Sequence, residues 1–149
     1  MSPAPQPSPA PAPNDERLLE HYRALSETAS FNRWAGFDVV FMSEGRCELR
    51  LPWRPEEMGQ YAGFLHAGVI AALLDTACGF AADAASGGVL TSHFSVNCLT
   101  PAVGTEFRAI GSVVRAGRKQ IFTTGELHAV DDSGSKLVAT AEAILVPGA

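Results

Sequence analysis

The chain has 149 residues, a length that suits one domain, and 46% of them are apolar, enough to build a real core. Its net charge of −5 excludes the basic footprint of a general nucleic-acid binder. The cysteines, Cys47, Cys78 and Cys98, are odd in number and far apart. They form neither a zinc spacing nor a disulfide framework and point to a reducing, cytoplasmic setting.

Residues 1–13 alternate proline with small residues and are expected to form a polyproline-like or disordered tail, leaving 14–149 as a single domain. This start lacks the basic and apolar regions of a secretory signal. Asn14 is placed to cap a short amphipathic helix running to about residue 30, with Leu18, Leu19, Tyr22 and Leu25 on one face. Residues 31–36 read as a connector containing Trp34. Strands are expected over 37–41 and 47–51, joined by a turn at Glu44-Gly45. Residues 52–63, with Pro55, Gly59 and Gly63, read as a loop.

Residues 65–82 are nearly all apolar and rich in alanine and leucine, which predicts a helix, ended by Ser86-Gly87-Gly88. Apolar side chains run all round it, so burial on every side is expected. A membrane span is the rival reading of this stretch, opposed by Asp75 at its centre, His66 at its start and its many small residues. Four strands follow, over 89–99, 106–115, 119–130 and 136–146, with turns at Pro101–Gly104, Ala116-Gly117 and Asp131–Gly134. Cys78 and Cys98 lie in apolar segments and are expected to be small core residues. The order of elements is met by an α+β fold in which one antiparallel sheet curls round one buried helix.

A lone carboxylate within an apolar helix is costly unless paired or protonated, which makes Asp75 a functional candidate. The spacing around it is informative. Gln60 stands six residues before His66-Ala67-Gly68, and Asp75 nine residues after His66. This motif resembles that of the hotdog-fold acyl-CoA thioesterases, in particular the PaaI-like (phenylacetate-pathway) and 4-hydroxybenzoyl-CoA group. Their pattern is an amide residue, His-Gly-Gly and an acid at those intervals. The resemblance covers about residues 36–146 and includes Asn97-Cys98-Leu99-Thr100-Pro101, Gly104 and Gly117-Arg118. Two positions depart from it. Ala67 replaces the first glycine, keeping the backbone N–H but adding a methyl group. Gln60 stands where many PaaI-like members carry asparagine.

Thioester hydrolysis needs a group that attacks the carbonyl or makes water attack it, and donors for the developing oxyanion. The start of the central helix supplies free N–H groups and partial positive charge, so Ala67, with the Gln60 side chain, is the candidate donor set. Asp75 is the candidate general base or nucleophile. His66 is a candidate base, but at the helix start it is read in preference as a positioning residue, and Gly68 as a close-packing one. The resemblance implies a role for Thr91, since related thioesterases place Ser or Thr near the attacking water. Arg115, Arg118 and Lys119 surround Gly117 and suit the phosphates of coenzyme A, or else form a solvated turn. Trp34, Phe37 and Phe64 are available to line an aryl pocket, and core packing explains them equally well.

Residues 67 and 75 are about 12 Å apart along a helix, too far to hold one carbonyl between them. Groups from two subunits must therefore combine if both act on one thioester. The resemblance likewise implies a homodimer, paired into a tetramer, with sites at its interface. The expected activity is hydrolysis of acyl-CoA to free acid and coenzyme A, with no metal or redox cofactor and no nucleic-acid or membrane partner. The rivals are an enoyl-thioester hydratase or dehydratase of the same fold, and a non-catalytic acyl-CoA-binding module.

Overall fold

A computed structural model describes residues 12–148, so most of the expected 1–13 tail lies outside the described residues. The first helix, α1, is Glu16–Thr28. Its cap is Asp15, not Asn14. The Asp15 carboxylate accepts the N–H groups of Arg17 and Leu18, at 2.9 and 3.2 Å. Asn14 is diverted to the first strand, where its Oδ1 accepts the Met42 N–H at 3.0 Å. The predicted connector over 31–36 is instead a second helix, α2, Ser30–Ala35, closed by Gly36 in the left-handed conformation at φ 76°. One and a half turns are too short to show a helical period. α1 buries Leu19, Tyr22 and Ser26, while Leu25 stays partly exposed.

Strands β1 (Asp38–Ser43) and β2 (Arg46–Pro52) form a hairpin, and β2 alternates half-buried and buried residues along its whole length. The expected loop over 52–63 contains a short helix, α3, Pro55–Met58, with proline at its first position. The long helix α4 spans Ala67–Ser86, and β3 (Val89–Cys98), β4 (Glu106–Ala116), β5 (Ile121–Asp131) and β6 (Gly134–Pro147) follow. All six strands form one sheet in the order β1-β2-β4-β5-β6-β3, antiparallel at every pairing.

α4 touches all six strands, most extensively β4. Two glycines let it come so close. Gly111 of β4 and Gly125 of β5 face one another across the ladder. A Cβ on Gly111 would collide with the backbone at Ala77 and Cys78, and one on Gly125 would lie 3.0 Å from Leu74 Cδ2. Into that seat α4 presses Val69, Ile70, Leu73, Leu74, Ala77, Cys78, Ala81 and Ala82.

Burial on every side, as expected from sequence, is not what occurs. The sheet covers one side of α4, while Ala71, Asp75, Thr76, Gly79, Phe80 and Asp83 on the other side are only half-buried. The helix is long and apolar enough to cross a membrane, but its apolar side is the seat on the sheet. Cys47 and Cys78 are buried, and burial is the main cause that raises both thiols, Cys78 to about 11. Cys98, expected in the core, is exposed at the end of β3. That strand is an edge of the sheet, and it buries none of its residues in this chain, so its alternation marks no buried side.

Candidate active site

The segment before α4 is a tight loop. The Gln60 N–H donates to Phe64 O at 2.8 Å, and the Gly63 N–H to Gln60 O at 2.9 Å. Gly59 and Leu65 form a β-bridge, and the His66 N–H donates to Met58 O at 2.9 Å. α3 therefore anchors the loop that delivers His66 to the helix start. The Gln60 side chain folds back so that its Oε1 accepts the Ala62 N–H. Its amide N–H groups remain as donors.

His66 is the N-cap of α4. Its Nδ1 accepts the Gly68 N–H at 2.8 Å, and a Cβ on Gly68 would stand 2.9 Å from that nitrogen. Gly68 thus makes room for the imidazole. With Nδ1 accepting, a neutral ring carries its proton on Nε2. The N–H groups of Val69 and Ile70 donate to His66 O. Among the described residues, nothing accepts from the Ala67 N–H. A pocket of about 480 Å³ opens over this helix start. Gln60, Phe64, His66 and Ala67 line it together with Cys98 at the end of β3 and Leu99 just after it. Of the aromatic residues considered from sequence, Phe64 lines this pocket, Phe37 is buried and Trp34 is half exposed on α2.

Asp75 lies elsewhere, two turns further along α4, in a separate groove of about 260 Å³. The Thr91 hydroxyl donates to its Oδ1 at 2.8 Å. Nothing among the described residues donates to Oδ2. Within one chain the predicted site residues thus form two sets, with Gln60, His66, Ala67 and Gly68 in one and Asp75 and Thr91 in the other. Thr91 and Cys98 are about 23 Å apart along β3.

Arg115 lies near the end of β4, and Gly117, Arg118 and Lys119 form the β4–β5 turn, where the Gly117 N–H donates to Gln120 O at 2.9 Å. The register puts this turn at the Thr91 end of the sheet, since Ala116 pairs Ile121, Ile121 pairs Leu145 and Leu145 pairs Thr91. The two arginines and the lysine are exposed there. Sequence reasoning missed Asp83, which shares the groove with Asp75 and accepts the Tyr22 hydroxyl at 2.5 Å. Burial, and then this bond, push the Tyr22 phenol well above its ordinary value. The spacing of eight residues from Asp75 was the available signal, because it repeats one face of the helix.

Residues 62–136 match the thioesterase superfamily. The chain belongs to the thioesterase superfamily. It is 31% identical over 121 residues to the medium/long-chain acyl-CoA thioesterase YigI of Salmonella typhimurium, a match covering 68% of this chain and 76% of that protein. The crystal structure of a thioesterase family protein from Silicibacter pomeroyi superposes with a TM-score of 0.80 at 32% identity, covering 88% of this chain and 96% of that one. The PaaI protein of the E. coli phenylacetic acid degradation operon shares the fold, with a TM-score of 0.79 at 19% identity over 90% of this chain and 95% of its own. The six-stranded antiparallel sheet and its central helix are the hotdog arrangement. The thioesterase match spans β3 to β5 and all of α4, so it contains Asp75, Thr91 and the helix start.

Proposed function

We propose that this thioesterase hydrolyses acyl-CoA to the free acid and coenzyme A at sites built from two copies of the chain. The Ala67 N–H, without an acceptor among the described residues, at the start of a 20-residue helix and in a residue that lines a pocket, is the observation that carries the reading. It sits where the helix dipole adds partial positive charge, and a thioester carbonyl needs such a donor as it becomes an oxyanion. The Gln60 amide and the His66 Nε2–H supply further donors at the same pocket.

Asp75 of a second copy completes the centre. Thr91 orients the carboxylate through Oδ1, leaving Oδ2 to take a proton from water. The hydroxide forms the new C–O bond, and the carbonyl electron pair moves to the oxygen held by Ala67. Collapse of that intermediate breaks the C–S bond. The thiolate of coenzyme A then receives the proton that Asp75 holds. The edge strand β3 supports the two-copy arrangement. It leaves one side of its backbone unpaired and exposes Leu90 and Phe94, at 63% and 42%. Pairing of dimers into a tetramer belongs to the same proposal.

The exposed Arg115, Arg118 and Lys119 at the Thr91 end of the sheet suit the coenzyme A phosphates. The likeness to the Salmonella enzyme supports medium or long acyl chains. Free Cys47 and Cys78 support a cytoplasmic location.

Asp75→Asn tests the reading. It keeps the shape and removes the base, so kcat should fall at least about a hundredfold while the fold survives. Near-normal turnover by a correctly folded variant overturns the assignment.

A further inference from the structure

The groove beside Asp75 continues along α4 and ends on a second carboxylate. Its residues follow one helix face, with Asp75, Gly79 and Asp83 four residues apart. The span from Asp75 to Asp83 is about 12 Å. β3 runs alongside, with Thr91 at the Asp75 end and Val89 nearer the helix end. The remaining wall comes from Leu25 of α1 and Asn32 of α2, helices that the thioesterase match does not include.

Gly79 is the first telling residue. Glycine is the poorest non-proline residue for a helix interior, and packing within this chain does not require it. A Cβ there would meet only Leu145 Cδ2, at 3.9 Å, which is ordinary contact. What the missing side chain provides is open space midway along the groove. The far end is the second. Asp83 Oδ2 accepts the Tyr22 hydroxyl, and Asn32 Nδ2 donates to Ser26 Oγ at 3.2 Å. Among the described residues, nothing donates to Asp83 Oδ1 or Asn32 Oδ1. The groove is therefore apolar in the middle, at Leu25, Phe80 and Leu145, and rich in hydrogen-bond acceptors at its end.

We propose that this groove receives the acyl group, that Gly79 keeps it open, and that Asp83 selects acyl chains carrying a hydroxyl at their far end. The proposal rests on the acyl-CoA reading above and adds the substrate class. A thioester carbon beside Asp75 leaves about 12 Å to the acceptors. At about 1.2 Å per bond of an extended chain, an eight-carbon acyl group with a terminal hydroxyl covers most of that distance. Its hydroxyl donates to Asp83 as the Tyr22 hydroxyl already does. An unsubstituted chain of the same length strips water from the carboxylate and returns no hydrogen bond.

The test compares kcat/KM for omega-hydroxyoctanoyl-CoA, octanoyl-CoA and butanoyl-CoA on the full chain. The wild-type protein should favour the hydroxylated over the plain octanoyl substrate by about tenfold or more, the scale of one hydrogen bond to a charged group. Asp83→Leu should abolish or invert that preference. Because it orphans the Tyr22 hydroxyl, the double variant Tyr22→Phe with Asp83→Leu repeats the measurement with no unpaired phenol. Tyr22→Phe alone should keep the preference. Gly79→Val should depress both octanoyl substrates far more than butanoyl-CoA, whose chain stops short of the obstruction. Equal wild-type rates on the two octanoyl substrates, or a preference that survives both Asp83 variants, overturn the role of Asp83. Equal effects of Gly79→Val on long and short chains overturn the placement of the acyl group. Failure to hydrolyse any of the three, butanoyl-CoA included, removes the acyl-CoA reading itself and this proposal with it.

Discussion

Thr91 and Asp75 form a pair whose contribution can be measured separately from the acid itself. Thr91→Val preserves shape and strand propensity but removes the hydroxyl donated to Oδ1. A hydrogen bond to a charged group contributes about 1.5–3 kcal/mol, so kcat should fall about tenfold to a hundredfold with KM little changed. Thr91→Ser should restore most of it. Single-turnover hydrolysis in heavy-oxygen water checks the role of the carboxylate. With Asp75 acting through water, the label appears in the released acid and not in the Asp75 side chain. Asp75 stood out in sequence as a candidate because a charge in an apolar helix is conspicuous. Its partner was not derivable from spacing alone, since Thr91 reaches it from the next element and only the family resemblance singled it out. Asn14 was misread for a local reason. Two adjacent residues both have capping side chains, and the contact with Met42 that diverts the first is a tertiary one.

The strands were legible because half-buried residues alternate with buried ones, and β2 follows that rule throughout. The way α4 meets the sheet was not, because glycine carries no hydropathy signal. Gly111 and Gly79 look alike in sequence, yet their surroundings predict opposite outcomes. Gly111→Ala forces a methyl group into the backbone of α4 and should cost about 1–3 kcal/mol or more. Gly79→Ala meets nothing closer than 3.9 Å and should stabilise the chain by up to about 1 kcal/mol. Melting temperatures shifting in opposite directions would bear this out. The helix α2 was missed because Ser30–Ala35 is too short for periodicity, although it supplies Asn32 to the groove. The expectation of all-round burial failed for a related reason. Composition reports how apolar a helix is, but not how many of its sides one chain can cover.

The outer face of the sheet links neighbouring strands through charge. Glu106 of β4 bonds Arg50 of β2 across the strand pair and Arg108 on its own strand. Burial of Glu106 opposes its ionisation, but the Arg50 hydrogen bond and the charges of Arg108 and Arg50 outweigh it and lower its pKa. A carboxyl lowered by folding contributes stability that is complete above its unfolded value and is lost as pH falls through the folded one. Glu106→Gln should therefore flatten the acid limb of a stability profile below the ordinary carboxylate range. The division of the site between copies has a sharper test at this scale. Ala67→Pro removes the proposed oxyanion donor at a helix position that tolerates proline, and Asp75→Ala removes the proposed base. Each variant alone should be inactive. Refolded together in equal amounts, with exchange confirmed by a mass tag, they should recover about a quarter of the sites in a two-fold dimer. Background activity after confirmed exchange would place the whole centre in one chain.

The separation of the Ala67 pocket from the Asp75 groove also bears on reaction order. If, as proposed, each polypeptide contributes the acid of one centre and the amide of another, a solitary chain has no complete centre. Where copies are dilute enough to come apart, hydrolysis rises with the square of the protein concentration. Output then becomes a steep function of abundance, and halving expression reduces flux about fourfold through simple mass action, with no effector involved.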